Sequence, residues 1–296
     1  MPSFNLLVFD LDNTIYDWYS AFLPAFYDMV SEATVALDCN REILLDELQQ
    51  VHIKYHDVEH PFSLLETKIV QQEIVNVGME PVLKKLDPAF HAFNKSRKAN
   101  LKLFPGTLEA LNEFARRGIR LIAYTDSKYY AAWGRVQRLG LTDLFERIYC
   151  RERDVVLLPP RQPIGPNPSD SDKIVQIPSH ESKPNPRVLA QIVKLQNEQL
   201  SNVAYVGDSL AKDVLMAKRA GCFAVWAKYG AHTDLAMYER LIRISHWSPS
   251  DIQREKNYAM EAKSIRPDFV CEQSLEELLS IVRSPAKSSA PYSHTV

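Results

Sequence analysis

Short runs of consecutive apolar residues alternate along this chain with longer stretches in which apolar positions recur every three or four residues. The first pattern predicts strands buried on both faces, the second amphipathic helices. Residues 5–10 are an apolar run closed by an aspartate, which predicts a strand whose carboxyl end opens to solvent. From residue 17 to about 99 the helical spacing takes over, with Val30, Ala33 and Leu37, and later Leu64, Leu65 and Ile69, on the repeat. Few strand signals interrupt it, so an all-helical insert is expected there. Alternation then resumes with a helix over 107–117, bounded by Pro105-Gly106 and Gly118. A strand over 119–124 closes on Thr125 and Asp126, and a helix over 129–139 stops at Gly140. Helices at 185–196 and 211–220 and strands at 202–206 and 222–226 follow. A helical region from 233 to 243, a strand near Phe269 and Val270, and a helix over 274–282 complete the series.

Two stretches break the rhythm. Residues 151–182 carry Pro159, Pro160, Pro163, Pro166 and Pro168 among serines and aspartates, with no helical period. They predict a Pro-rich insertion, with a short hairpin through 172–177. Residues 284–296 are polar and predict a disordered tail. Strands alternating with helices imply an α/β fold: a Rossmann-like, doubly wound, mostly parallel sheet covered on both faces. The expected organisation is a core of residues 1–16 and 101–283, interrupted by a helical cap at 17–100.

Composition narrows the classes. With 296 residues, 46% apolar and 24% charged, the chain reads as a globular protein of one large and one smaller domain. A net charge of −2 supplies no basic face, so no nucleic acid partner is expected. The longest apolar runs are strand-sized, and the first eleven residues lack the basic and apolar regions of a secretory leader. Hence no membrane partner and a cytoplasmic location are expected. Cys39, Cys150, Cys222 and Cys271 form no CxxC pair and are expected to be reduced thiols.

The strand ends carry the chemistry. In doubly wound sheets, ligands bind beyond the carboxyl ends of the strands. The residues closing the apolar strands are Asp10, Asp12, Thr125, Asp126 and Asp208, and all should gather at one edge. Carboxylates converging there repel one another unless a cation sits among them. Hard oxygen ligands with no His or Cys partner select Mg²⁺. Lys183, before Pro184 at a predicted helix start, adds a fixed positive charge. Such a site suits a phosphoryl group, with Asp10 as nucleophile and Asp12, two residues on, as general acid and then base.

Asp10-Leu11-Asp12-Asn13-Thr14 resembles the DxDxT motif of the haloacid dehalogenase (HAD) superfamily. Thr125 after its strand, Lys183 before Pro184, and Gly207-Asp208-Ser209 followed by Asp213 are similar to its second, third and fourth motifs, in the family's order. The resemblance covers the scaffold, and it points to the phosphatase branch with a C1 helical cap, phosphoglycolate phosphatase-like. It implies that Asp10 is both nucleophile and metal ligand, and that Asp12 is acid/base with its backbone carbonyl on the metal. Thr125 would bind phosphoryl oxygens through its hydroxyl and Asp126 through its backbone N–H. Lys183 would balance the charge between nucleophile and phosphate, with Asp208 and Asp213 as the remaining acidic groups at the metal. The cap would be a lid that excludes water. The implied activity is Mg²⁺-dependent hydrolysis of a small phosphorylated metabolite, by way of an aspartyl phosphate.

Alternatives stay open at this stage. A phosphomutase uses the same intermediate, and a non-catalytic phosphate-ligand binding protein could keep the fold. A phosphonate-cleaving branch would need a Schiff-base lysine from the cap, where Lys54 and Lys68 lie. The dehalogenase branch lacks an acid at the position of Asp12. Asp126 and Ser127 could instead cap the following helix, and Thr14 is expected to bond the backbone of its turn. His52, His56 and His60, spaced by four, would share one exposed or substrate-facing side of a continuous helix. Tyr16 and Trp18 are expected mainly as hinge packing. Oligomeric state, substrate and the roles of Arg161, His232, Arg243, His246 and Trp247 are not legible.

Overall fold

A computed structural model describes residues 2–60, 62–152, 172–231 and 234–283. Seven parallel strands form one sheet: β1 (Leu6–Phe9), β2 (Arg120–Lys128), β3 (Arg147–Arg151), β4 (Ile174–Ile177), β5 (Val203–Gly207), β6 (Phe223–Ala227) and β7 (Phe269–Cys271). Their order across the sheet is β4-β3-β2-β1-β5-β6-β7. β1 lies at the centre, paired in register with β2 through Val8 and Ile122 and with β5 through Val8 and Tyr205. Its four residues alternate between the two apolar layers: Leu7 and Phe9 enter one, Leu6 and Val8 the other. That is why the run is apolar at every position rather than at every second one. The strand order reverses on either side of β1, which puts the crevice for ligands at the end of β1. The expected α/β class with an inserted helical unit is therefore what the chain adopts.

Helices α5 (Thr107–Arg116) and α6 (Tyr129–Arg138) cover one face, and α7 (Pro186–Leu195) and α8 (Leu215–Ala220) the other. Between β1 and α5 lie α1 (Trp18–Leu37), α2 (Arg41–Tyr55), α3 (Lys68–Val77) and α4 (Met79–Asn100). They share an apolar cluster of their own, built on Phe22, Phe26, Val30, Leu44, Leu48, Val82 and Leu86. The cap starts where Asp17 accepts a hydrogen bond from the Ser20 amide and so opens α1.

Several expectations need correction. β2 does not end at Thr125 and Asp126; after a register shift against β3 it continues to Lys128. Residues 172–177 form no hairpin, because β4 pairs in parallel with β3 at the sheet edge. The helix expected over 211–220 opens with a π-helical turn, Leu210–Val214, before α8. The last segment is a 3-10 turn, Leu275–Ser280. β3 was not foreseen, being five residues long with arginines at both ends. α10 (Pro249–Ala262) was also missed, because it lacks an apolar stripe and rests on a Ser248–Asp251 capping box. α9 (Leu235–Ile244) buries Leu241 and Ile244 in the cap's cluster rather than on the sheet. The four cysteines are free, and burial pushes the thiols of Cys150, Cys222 and Cys271 up to about 12. The tail and most of the Pro-rich insertion, with Arg161, and also His232 lie outside the described residues. No helix among the described residues is long and apolar enough to cross a membrane.

Candidate active site

The loop after β1 is shaped by backbone geometry. Asn13 takes a left-handed conformation (φ 59°), which asparagine tolerates better than most residues, and its Oδ1 accepts from the Trp18 amide at 3.1 Å. Gly230 passes under this turn so closely that a Cβ there would lie 1.6 Å from the Asn13 carbonyl oxygen. The neighbouring Tyr229 hydroxyl donates to the Thr14 carbonyl at 2.7 Å. The expectation for Thr14 is reversed: its buried hydroxyl has no hydrogen-bond partner, and its carbonyl is what the fold holds.

Asp10, at the end of β1, meets Lys183, which precedes α7. Lys183 Nζ donates to Asp10 Oδ1 at 2.6 Å and to Asp213 Oδ1 at 2.9 Å. Asp213 also accepts from the Tyr205 hydroxyl at 3.0 Å and, through Oδ2, from the Ser209 amide at 3.1 Å. Gly207 makes this possible, since a Cβ there would lie 2.3 Å from Asp213 Cγ. Asp208 completes the group: Asp10, Asp208 and Asp213 each offer an oxygen within 4.8 Å of the others. Its backbone carbonyl is fixed by the Trp226 indole N–H at 2.8 Å.

Burial, then the neighbouring carboxylates of Asp213 and Asp12, push Asp10 up to about 8 although Lys183 pulls the other way. Asp208 is raised well above the carboxylate range, by burial and then by Asp213 and Asp10. Burial works against the Lys183 charge, but Asp10 and Asp213 outweigh it and hold the ammonium charged. Three carboxylates around one lysine, Asp10 and Asp213 buried and Asp208 half-buried, are short of positive charge. All their donors are hard oxygens, with no His or Cys in the group, so the residues present fit a hard divalent cation.

The side chain of Asp12 turns elsewhere. Its Oδ2 accepts a short hydrogen bond from the Ser127 hydroxyl, and its Oδ1 accepts from Arg135 Nη1 at 2.6 Å. Arg135 Nη2 donates to both oxygens of Glu59, which belongs to the cap loop after α2. Burial opposes the Arg135 charge, but Asp12 and Glu59 more than restore it. Beside this bridge, Lys128 Nζ lies 3.4 Å from Asp57 Oδ2, and the Tyr130 hydroxyl donates to Asp57 Oδ2 at 3.0 Å and to the Glu59 carbonyl at 3.2 Å. Two cap carboxylates thus sit on three side chains from the end of β2 and from α6. Sequence reasoning missed Arg135, Asp57 and Glu59; Ser127 was singled out as a helix cap or phosphate contact, whereas its hydroxyl bonds Asp12.

Thr125 is buried, and its Oγ1 accepts from the Ser127 amide at 3.1 Å, which leaves its hydroxyl proton to donate elsewhere. Asp126 caps no helix. Its Oδ1 accepts from the Lys183 amide at 3.1 Å, tying the second motif to the third, and Lys128 precedes α6 without a side-chain cap. The cap histidines do not share a helical face. α2 ends at Tyr55, and His56 is left-handed (φ 49°). His52 is fully buried with Nδ1 donating to the Ile244 carbonyl at 2.7 Å, and buried His60 meets Glu66 at 2.8 Å. Lys54 is exposed and pairs with Glu66 at 3.0 Å, and Lys68 is exposed, so neither is the buried lysine a Schiff base would need. Trp18 stacks on Phe22, and the Tyr16 hydroxyl lies 3.5 Å from Arg135.

A seven-stranded parallel sheet with carboxylates and a lysine at the end of its central strand, under an inserted helical cap, defines a hydrolase of the doubly wound class. The chain belongs to the haloacid dehalogenase-like hydrolases, whose family model matches residues 4–221; a second, HAD-hydrolase-like model matches residues 180–278. It is 26% identical over 234 residues to a glyceraldehyde 3-phosphate phosphatase of Methanopyrus kandleri, covering 77% of this chain and 86% of that protein. It is 22% identical over 244 residues to a phosphoglycolate phosphatase of Agrobacterium fabrum, covering 80% and 86%. Among solved structures, a 2-haloacid dehalogenase from Pseudomonas syringae superposes with a TM-score of 0.53 at 19% identity, covering 95% of this chain and 99% of that one. A HAD phosphatase from Thermococcus onnurineus gives 0.51 at 20% identity, covering 95% and 97%. At these identities the superpositions establish the shared fold.

Proposed function

We propose that this protein is a Mg²⁺-dependent phosphomonoesterase that passes a phosphoryl group from a small phosphorylated metabolite to Asp10 and then to water. The observation that carries this reading is the buried Lys183 ammonium bonded to Asp10 at 2.6 Å within a group of three carboxylates. Lys183 orients the Asp10 carboxylate and opposes the effect of burial on its ionisation, and it offers positive charge to the incoming phosphoryl oxygens. An Asp10 oxygen forms a bond to phosphorus as the ester P–O bond breaks, and the departing oxygen takes a proton from Asp12. Asp12, now a carboxylate, takes a proton from water as that water's oxygen attacks the aspartyl phosphate. The bond between Asp10 and phosphorus breaks, releasing inorganic phosphate and restoring both aspartates. The Thr125 hydroxyl and the Asp126 amide would receive the phosphoryl oxygens. Asp10, Asp208 and the Asp12 carbonyl, with Asp213 behind them, would hold the Mg²⁺. Bound there, the ion supplies charge neutralisation for the phosphoryl oxygens.

The acid at position 12 supports an ester with a leaving group that needs protonation, rather than a halide. The names of the relatives support two- and three-carbon phosphates as substrates, glyceraldehyde 3-phosphate and phosphoglycolate among them. The cytoplasm, where such metabolites are made, is the proposed location. The test is phosphate release from a panel of small phosphoesters, with Mg²⁺ and with chelator, by wild type and Asp10→Asn. Release confined to wild type with Mg²⁺ is expected, with the variant slower by more than about a thousandfold. Release that persists in Asp10→Asn would remove the aspartyl-phosphate route.

A further inference from the structure

We infer that Arg151 and His246 form a subsite for a carboxylate on the substrate, so that the preferred ester is a phosphorylated hydroxy acid rather than the aldehyde of the same carbon skeleton. This rests on the phosphoester-hydrolysis reading above. Arg151 ends β3, where Ile148 and Cys150 enter the layer under α5 and α6. Tyr149 and Arg151 therefore face the other layer, which also holds Tyr124 and Tyr205. The rings of those two tyrosines lie 5.3 and 5.5 Å from Lys183 Nζ, so Arg151 stands on the same side of the sheet as Lys183. Arg151 is half-buried, and its Nε is buried with no hydrogen-bond partner among the described residues. His246 Nδ1, on a distant segment between α9 and α10, is buried and unpartnered in the same way. Buried donors without an acceptor are uncommon and costly.

A chain of contacts links the two residues. Lys128 is the register partner of Arg151, and its Nζ lies 3.3 Å from the Tyr55 carbonyl and 3.4 Å from Asp57 Oδ2. Between those two cap residues, His56 meets the His246 ring edge-on, with 6.4 Å between centroids. On its other side, the segment reaches the π-helical turn after Asp208, where Lys212 Nζ lies 5.8 Å from the centroid of the Trp247 ring. Residues 246 and 247 therefore run from the end of β3 to the turn after β5. Between those strands lie β2 and β1, which carry Thr125 and Asp10. Burial, and then the Arg151 charge, lower the His246 pKa to about 4 against the pull of Asp57, so its imidazole is neutral. A neutral ring with its hydrogen on Nδ1 donates one bond, and a guanidinium brings a fixed fork of donors. Together they suit a carboxylate. β3 stands two strand spacings from β1, about 10 Å. An arginine side chain and a phosphorylated two- or three-carbon acid span that distance, with the phosphate at Asp10 and Lys183.

The experiment compares 3-phosphoglycerate with glyceraldehyde 3-phosphate, which differ in carrying a carboxylate or an aldehyde. It uses the full chain as wild type, Arg151→Met, Arg151→Lys and His246→Phe. Wild type should favour the acid in kcat/KM by more than about tenfold. Arg151→Met should reduce that preference by about 10- to 100-fold, chiefly through KM for the acid, the size of a lost hydrogen bond to a charged group. His246→Phe should reduce it by about tenfold, and Arg151→Lys should retain part of it. A merely structural role would slow both esters alike and leave their ratio unchanged. That result would overturn the inference, as would a wild type that prefers the aldehyde. If Arg151→Met does not fold, the ratio in His246→Phe and Arg151→Lys decides in the same way. 4-Nitrophenyl phosphate, which has no second anionic group, tells the two levels apart. Wild type that turns over this ester and neither of the others overturns the carboxylate subsite alone. Wild type that is folded and inert on all three overturns the phosphatase reading and the subsite together.

Discussion

Two clusters of buried and half-buried ionic groups lie within a few residues of each other in this protein, and they are built on opposite principles. At the sheet edge, Asp10, Asp208 and Asp213 share Lys183, so negative charge is in excess. At the seam with the cap, Arg135 and Lys128 face Asp12, Glu59 and Asp57, and each cap carboxylate has a basic partner from the core. Buried charges are costly unless they are paired. The seam meets that cost from within the chain, by pairing side chains of the cap with side chains of the core. The sheet edge leaves part of the cost unmet, and on the function proposed above a cation and a charged ligand from outside would meet it. One cluster is arranged to recruit, the other to latch.

The sharpest way to break this contrast is to remove the basic member of each cluster. Lys183→Met leaves Asp10 without its donor and the carboxylates without their lysine. kcat for phosphate release should fall by about 10²- to 10³-fold, the size associated with losing one preorganised electrostatic contact. Lys128→Met, in the seam, removes a charge that the Tyr130 hydroxyl still partly replaces on Asp57. Its loss of kcat should stay within about tenfold. Steady-state kinetics of the two variants side by side decide the matter, and comparable losses would mean that the two clusters do not differ in role.

The two clusters also differed in how far they could be read. Asp10, Thr125 and Asp208 were visible because each follows an apolar strand, and the sheet rule brings strand ends to one edge. Lys183 was visible through its position before a proline at a helix start. The seam left no such trace. Arg135 sits among the last residues of a helix, where a basic side chain ordinarily faces solvent, and its partner Glu59 lies 76 residues away in a cap loop. Such a pairing depends on how two domains meet, and no local period encodes that. The histidines failed for a local reason: the left-handed backbone at His56 ends α2, so a spacing of four ceased to mean a shared face. Gly230 also escaped notice, because the backbone it must accommodate belongs to Asn13, more than two hundred positions earlier.

A binding measurement separates recruitment from latching without any turnover. Mg²⁺ at about 100 times its dissociation constant should stabilise the fold by about 2.7 kcal/mol. In a chain of this length that corresponds to a rise in Tm of about 5 °C. The rise should vanish in Asp208→Asn, which removes an oxygen of the sheet-edge group, and persist in Glu59→Gln, which disturbs only the seam. A Mg²⁺-induced rise that survives Asp208→Asn would place the cation elsewhere.

The smallest effect concerns how the cap is tied down beside the seam. His52 is buried against Phe26, with Asp57 and His60 as its nearest titratable neighbours, and its Nδ1–H is spent on the Ile244 carbonyl. Burial lowers its pKa from 6.5 to about 4, only partly offset by that hydrogen bond and by Asp57. The folded state therefore binds the proton less readily than the unfolded chain. This stability is fully present above pH 6.5 and is lost as pH falls toward 4. At pH 5 the loss attributable to His52 is about 2 kcal/mol, or about 4 °C in Tm. Thermal melts at pH 7 and pH 5 should show wild type falling further than His52→Gln by that amount, because glutamine keeps a donor for Ile244 and has nothing to titrate. His246, also lowered to about 4 by burial, is common to both proteins and cancels in the difference. Equal falls would show that protonation of His52 does not limit the cap. A larger fall in wild type would mean that keeping His52 neutral against the Ile244 carbonyl, where α9 joins the cap's apolar cluster, contributes to the stability of the fold.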